Sequence, residues 1–238
     1  MIICNSKKFI FIHIHKTGGS SFELGMEPYM AWNDLILGST EHGERVNKYY
    51  NSRFKLGKHY SIRDVETACG IELVDSYVTC TMVRHPVNRA VSLFNFVGSI
   101  IQEWANKNSL SLADVRKGFR RHAKRFPVLE WPASRAFIES SDFSDFIRSP
   151  HLEKEIAFRP QLGRIQRADG SLVQHVWKLE EVRTWEPKVA DLLGLGSAFA
   201  LPRANESKAT LIKSSDIPAK DHQFIEDLHQ VDLKAFSY

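Results

Sequence analysis

Phe9-Ile10-Phe11-Ile12-His13-Ile14-His15-Lys16-Thr17-Gly18-Gly19-Ser20-Ser21-Phe22 is the stretch on which the fold turns. Residues 9–14 are almost all aromatic or β-branched, which predicts a short buried strand. Two glycines then interrupt it. Phe22, Leu24 and Met26 carry apolar character on to Pro28, which predicts a short helix. The unit is therefore strand, glycine loop, helix. Glycines let backbone N–H groups turn inward around an anion, and the helix that follows adds its positive end. Thr17, Ser20 and Ser21 offer hydroxyl donors, and Lys16 supplies a movable positive charge. The stretch lacks the glycine set five residues before a Gly-Lys pair that the nucleotide-triphosphatase loop requires. The residues alone fit an anion cradle or a glycine-rich turn that caps a helix.

A second strand-loop-helix unit lies further on. Tyr77 to Val83 is the most strand-like run of the chain, and Arg84-His85-Pro86 ends it. Pro86 suits the first turn of a helix, along which Val87, Ala90, Val91, Phe94, Val97 and Ile101 keep helical spacing. Arg84 leaves the strand end as a planar fork suited to a phosphate, or to a structural ion pair. Arg89 and Ser92, three apart, share a helix face. Phe54-Lys55-Leu56 reads as a further short strand. Ser61 with Asp64 three residues on is a capping box for a helix that Gly70 ends.

The remainder reads as helical pieces over residues 110–148, broken near Pro127 and Pro132, then a strand over Leu172–Trp177. A helix over Leu179–Leu193 follows despite Pro187, and the chain closes with one amphipathic helix over Pro218–Phe236. Strands that alternate with helices predict an α/β fold with a central parallel sheet flanked by helices. Ligands bind such sheets at the carboxyl ends of the strands, where both loops sit. The 238 residues are expected to form a single domain, with a mostly helical insertion at about 105–160.

Apolar residues make up 43% and charged residues 25%, which puts the chain among ordinary globular proteins. A net charge of +4 suits anionic ligands without demanding nucleic acid. Arg116, Arg120 and Lys124 stand four apart and are expected to form one basic helical stripe, either a grip for an anionic sugar chain or a solvated face. Aromatic residues are too sparse there for a nucleic-acid platform. Cys4, Cys69 and Cys80 are too few and too scattered for a disulfide framework or a zinc cluster. No apolar run reaches the ~18 residues of a membrane helix. A cytoplasmic, reducing setting and a metal-free site are the expectations.

Taken together and in this order, the two loop stretches resemble the PAPS-dependent sulfotransferases, which use 3′-phosphoadenosine 5′-phosphosulfate. The branch they resemble is the carbohydrate type that includes heparan sulfate 2-O-sulfotransferases and small bacterial relatives. Further likenesses are Gly57-Lys58-His59-Tyr60, Val173 to Glu180, the Asn-x-Ser segment around Leu201 to Lys208, and Asp232 to Tyr238. The resemblance implies a P-loop-like nucleotide-binding sulfotransferase fold. It implies that Lys16 and the loop Thr17, Gly18, Gly19, Ser20 and Ser21 hold the 5′-phosphosulfate. Arg84 and Ser92 would hold the 3′-phosphate, and Ser207 and Lys208 would close over the nucleotide. It also gives His59 as the catalytic base, with His13, His15 and Glu180 as the other candidates. His15 departs from the family pattern, which has Pro before the lysine.

Sulfuryl transfer rests on in-line positioning and on stabilising the leaving oxygen, a task that falls to Lys16. The acceptor implied is a hydroxyl of a carbohydrate or glycolipid. The competing reading is a nucleotide-dependent phosphotransferase, a kinase that uses the same phosphate-binding loop.

Overall fold

The computed structural model describes residues 1–202 and 210–238. In chain order the elements are β1 (Ile2–Cys4), β2 (Phe9–Ile12), α1 (Gly19–Met26), β3 (Leu35–Ile36), α2 (Glu41–Phe54), α3 (Ile62–Cys69), α4 (Ile71–Asp75), β4 (Val78–Val83), α5 (Pro86–Lys107), α6 (Leu112–Lys117), α7 (Phe119–Ala123), α8 (Pro132–Glu139), α9 (Phe143–Ile147), α10 (Leu162–Ile165), β5 (His175–Lys178), α11 (Val182–Leu192), α12 (Ala219–Leu228) and α13 (Gln230–Phe236). They group into two compact units. One holds residues 1–85, 160–202 and 235–238, and the other holds 86–159 and 210–234.

The first unit is built on a five-stranded sheet of order β3-β1-β2-β4-β5. β2 pairs with β4 and β4 with β5 in parallel, while β1 is antiparallel to both β2 and β3. Four strands thus share one direction and β1 opposes them. Successive side chains of a strand point to opposite faces, so each strand feeds two cores. Phe9, Phe11, Cys80 and Met82 pack with Phe22 and Met26 of α1 and with Trp185 and Val189 of α11. Ile10, Ile12 and Val83 pack with Ile62 and Val65 of α3 and with Ile165 of α10. The architecture is the expected α/β sheet with helices on both faces.

Local chemistry explains where these elements stop. Ser61 and Asp64 form a complete capping box at α3, and Gly70, with φ of 90°, ends it. Phe54-Lys55-Leu56 is not a strand: Phe54 closes α2, and Lys55 takes a left-handed φ of 52° as its cap. The expected last helix is two, because His229 (φ −115°, ψ 23°) leaves the helical region between α12 and α13. Cys4 and Cys80 are buried, Cys69 is half-buried, and all three are free.

The second unit is helical among its described residues. The 22-residue α5 buries Val87, Ala90, Val91, Val97 and Ile101 against Leu129, Phe137, Phe143 and Phe146. Phe94 meets three of these rings tilted or edge-on, at 5.1 Å from Phe137, 5.5 Å from Phe143 and 5.1 Å from Phe146. The Asn95 side chain pins residues 211 and 212: its Oδ1 accepts from both backbone N–H groups and its Nδ2 donates to the Ile212 carbonyl. The expected basic stripe does not form as one helical face. Gly118 separates α6, which carries Arg116, from α7, which carries Arg120, and Lys124 lies beyond the end of α7.

Candidate active site

The chain leaves β2 at Ile12 and reaches α1 through a tight loop. Lys16 and Gly18 in that loop both take left-handed dihedrals, with φ of 65° and 86°. For a lysine this is a sparsely populated conformation that the surroundings must hold in place. The two glycines are required for different reasons. A Cβ on Gly18 would meet Leu179 Cδ1 at 2.8 Å in an already left-handed backbone, and one on Gly19 would lie 2.3 Å from His13 Cδ2. Thr17 is fully buried, and its hydroxyl donates inward to the Ile14 carbonyl at 3.0 Å rather than into the loop.

At the start of α1, the Ser21 and Phe22 N–H groups bond the Gly18 carbonyl. No side chain caps the helix, and its first turn carries no acidic residue, so nothing on α1 offsets its positive end. The Ser39 hydroxyl donates to Ser20 Oγ at 2.9 Å and ties the loop to the segment that follows β3.

Cations converge on this loop. Burial, then Arg84, then Lys58 push the Lys16 ammonium down to a pKa of about 8. Arg84 donates from Nη1 to the Lys16 carbonyl at 3.4 Å. The Arg84 backbone is gripped on both sides by one fully buried amide: its N–H donates to Gln161 Oε1 at 3.0 Å, and Gln161 Nε2 donates to its carbonyl at 2.9 Å. Burial lowers the Arg84 pKa, while Glu180 and Tyr238 oppose that shift. Glu180 itself accepts from the His85 N–H and the Tyr238 hydroxyl, so it serves as a structural tie.

His59 reaches the same loop from the segment after α2. Its Nδ1 lies 3.0 Å from the His13 carbonyl oxygen. A carbonyl only accepts, so Nδ1 carries the proton and Nε2 keeps its lone pair. The His15 ring stacks on the His59 ring at a centroid distance of 3.5 Å and an angle of 24°, and the His13 ring meets it edge-on at 4.5 Å. Burial, with His13 and His15 beside it, holds the His59 pKa well below the usual histidine value. His13 is anchored in turn by Glu23, whose Oε1 accepts from its Nδ1 at 2.7 Å. Burial works to raise the Glu23 pKa, but His13 and the Met1 ammonium outweigh it and hold the carboxylate charged. Arg164 donates to the His59 carbonyl.

The first unit therefore brings together Lys16, Thr17, Gly18, Gly19, Ser20, Ser21, Arg84 and His59. Ser92 lies half-buried on α5 in the second unit. Ser207 and Lys208 lie outside the described residues. Lys58, Gln161, Arg164 and Glu23 are additions that no local sequence motif announces. Lys58 stands beside the base candidate, and only the fold carries it toward Lys16. Among the described residues, no group of three or more His, Cys, Asp or Glu side chains is placed to hold a metal ion, and no helix is long and apolar enough to cross a membrane.

No curated protein and no solved structure matches the chain. The family model described as the Sulfotransferase family matches residues 1–238, the whole sequence, and the chain belongs to that family.

Proposed function

We propose that this chain transfers the sulfuryl group of PAPS to a hydroxyl of a carbohydrate or glycolipid, with His59 as general base. The observation that supports this reading best is the tautomer of His59: its Nδ1–H is tied to the His13 carbonyl, which leaves Nε2 as an acceptor beside a cationic glycine loop. The residues present fit a polyanionic donor. Lys16 and Arg84 meet at the loop, Lys58 adds its charge from a pair with Glu44 at 3.2 Å, and the start of α1 has neither a capping side chain nor an acid.

When bound, PAPS supplies an activated sulfuryl group and leaves as 3′-phosphoadenosine 5′-phosphate. Lys16 and the loop from Thr17 to Ser21 hold the 5′ end; the Ser21 N–H is taken by the Gly18 carbonyl, so Ser21 contributes its hydroxyl. A Lys16 ammonium with a pKa of about 8 is acidic enough to give a proton to a departing oxygen and charged enough to stabilise it. His59 Nε2 accepts the acceptor's hydroxyl proton, and its lowered pKa keeps it unprotonated at neutral pH. The family's contacts to the 3′-phosphate carry over to Arg84 and Ser92, and its closing segment to Ser207 and Lys208. The carbohydrate-type acceptor rests on the resemblance of the two loop stretches and of the Gly57–Tyr60 segment to that branch. A cytoplasmic, reducing setting agrees with three free cysteines. Membership of the sulfotransferase family does not favour the kinase alternative.

The test is calorimetric titration with 3′-phosphoadenosine 5′-phosphate, 5′-AMP, and ATP with Mg²⁺. The 3′-phosphorylated nucleotide is expected to bind best, and Arg84→Ala to weaken it by about 1.5–3 kcal/mol, the size of a lost charged hydrogen bond. His59→Ala is expected to keep that affinity and lose turnover on sugar acceptors supplied with PAPS. Equal or tighter binding of ATP overturns the assignment, and normal turnover by His59→Ala removes His59 as base.

A further inference from the structure

Three histidines meet at the glycine loop, and the base proposed above uses only one of them. His59 is gripped at two places. The His13 carbonyl takes its Nδ1–H, and the His15 ring covers one of its faces at 3.5 Å. The first contact fixes which nitrogen carries the proton but still allows the ring to swing about that bond. The second fixes the plane of the ring. The His13 ring is held by Glu23, which braces the residue whose carbonyl anchors His59.

We propose that His15 is a positioning residue for His59: stacked on its face, it sets the direction of Nε2 and opposes formation of the imidazolium. This deepens the reading of His59 as base and rests on it. The physical grounds are two. A covered ring face is closed to water, which penalises the charged form more than the neutral one. A second proton on the stack would also set two cations face to face at van der Waals distance, so a proton on one ring disfavours a proton on the other.

The other charged and titratable groups around His59 do not undo this. The edge-on His13 and the Met1 ammonium both disfavour a charge on it, the neighbouring Lys58 is a cation, and Arg164 donates to its carbonyl. The carboxylates on these groups are already paired: Glu23 with His13 and the Met1 ammonium, and Glu44 with Lys58 at 3.2 Å. His15 is thus the contact that can be changed without disturbing the Glu23 pair.

The experiment is long-range ¹H–¹⁵N NMR of the histidine rings in the full-length protein, followed against pH, with the His59 signals assigned through His59→Gln. In the unsubstituted protein His59 is expected as a single Nδ1–H tautomer that stays neutral below the ordinary histidine range. In His15→Ala the midpoint is expected to shift upward and both tautomers to appear. His15→Phe keeps a stacked ring and removes the second titrating group, so it is expected to keep the single tautomer and to shift by less than the alanine variant. It also carries the test alone should the alanine variant fail to fold. A His59 midpoint that fails to rise in His15→Phe, or a midpoint and tautomer both unchanged in His15→Ala, overturns the proposal. This readout needs no acceptor and no turnover. A base assignment lost through an active His59→Ala is therefore distinguishable from a positioning role lost through unmoved NMR signals.

Discussion

The two units bury polar groups in contrasting ways. In the first unit, His13, Thr17 and Glu23 are all at least 96% buried and gather at one loop with Lys16 and His59. In the second, Ser134 and Asp221 are buried at separate places and Arg89, His229 and Asp232 lie together, none of them at a strained turn, in a core dominated by Phe94, Phe137, Phe143 and Phe146. Asp221 there is an ordinary tie, which accepts from Ser144 and from Arg148 Nη1 at 2.6 Å. Burying ionisable groups costs free energy that apolar side chains would not, so scattered cases read as local ties. Several at one strained turn add their costs together, in keeping with the site proposed there.

The contrast can be broken at its apolar end first. Phe146→Ala is expected to lower the unfolding free energy by about 3–5 kcal/mol in denaturant melts, as for other buried aromatic truncations. Nucleotide affinity of the folded protein should not change. Lys16→Ala is expected to do the reverse. It should lower kcat by about 10²- to 10³-fold, the range for a lost donor at a developing charge, with melts unchanged or slightly improved.

Acid sharpens the comparison. His13, His59 and His229 have folded pKa values below the ordinary 6.5, His229 at about 4, chiefly through burial. The unfolded chain therefore binds more protons below that value, and stability falls as pH falls. The slope is about 1.4 kcal/mol per pH unit for each such histidine. Urea melts between pH 7 and pH 5 read it, and His229→Phe should remove the second unit's share alone. Transfer itself should decline as pH rises through about 8, where Lys16 loses its proton. The smallest effect is expected at Ser61→Ala, which opens the capping box of α3 for about 1 kcal/mol.

How much of this is legible in the sequence depends on how local the cause is. The capping box of Ser61 and Asp64, the stop at Gly70 and the glycine turn between β2 and α1 are each written within a few residues, and each forms where the sequence puts it. β1 is three residues long with no alternation to detect, and β3 is two, so pairing across the sheet makes them strands rather than their own patterning. α2 fully buries only Gly43 and sets just Val46 and Tyr50 against the core, so its apolar row is thin, and Phe54-Lys55-Leu56 mimics a strand. The stack of His15 on His59 joins residues 44 positions apart, and the clamp of Gln161 on Arg84 joins residues 77 apart. Only the fold brings such pairs together.

The order in which the sheet can be assembled follows from its register. β1 and β2 form a hairpin between near neighbours, with Cys4 opposite Phe9, a contact that closes quickly. β4 finds its outer partner only in β5, where Cys80 faces His175, 95 residues later. While the chain is being synthesised, β4 is complete long before β5 exists, and one side of Val78–Val83 stands as a bare apolar edge. A chain halted before residue 175 would carry that edge permanently, and C-terminal truncations are accordingly expected to aggregate rather than to fold into a smaller protein.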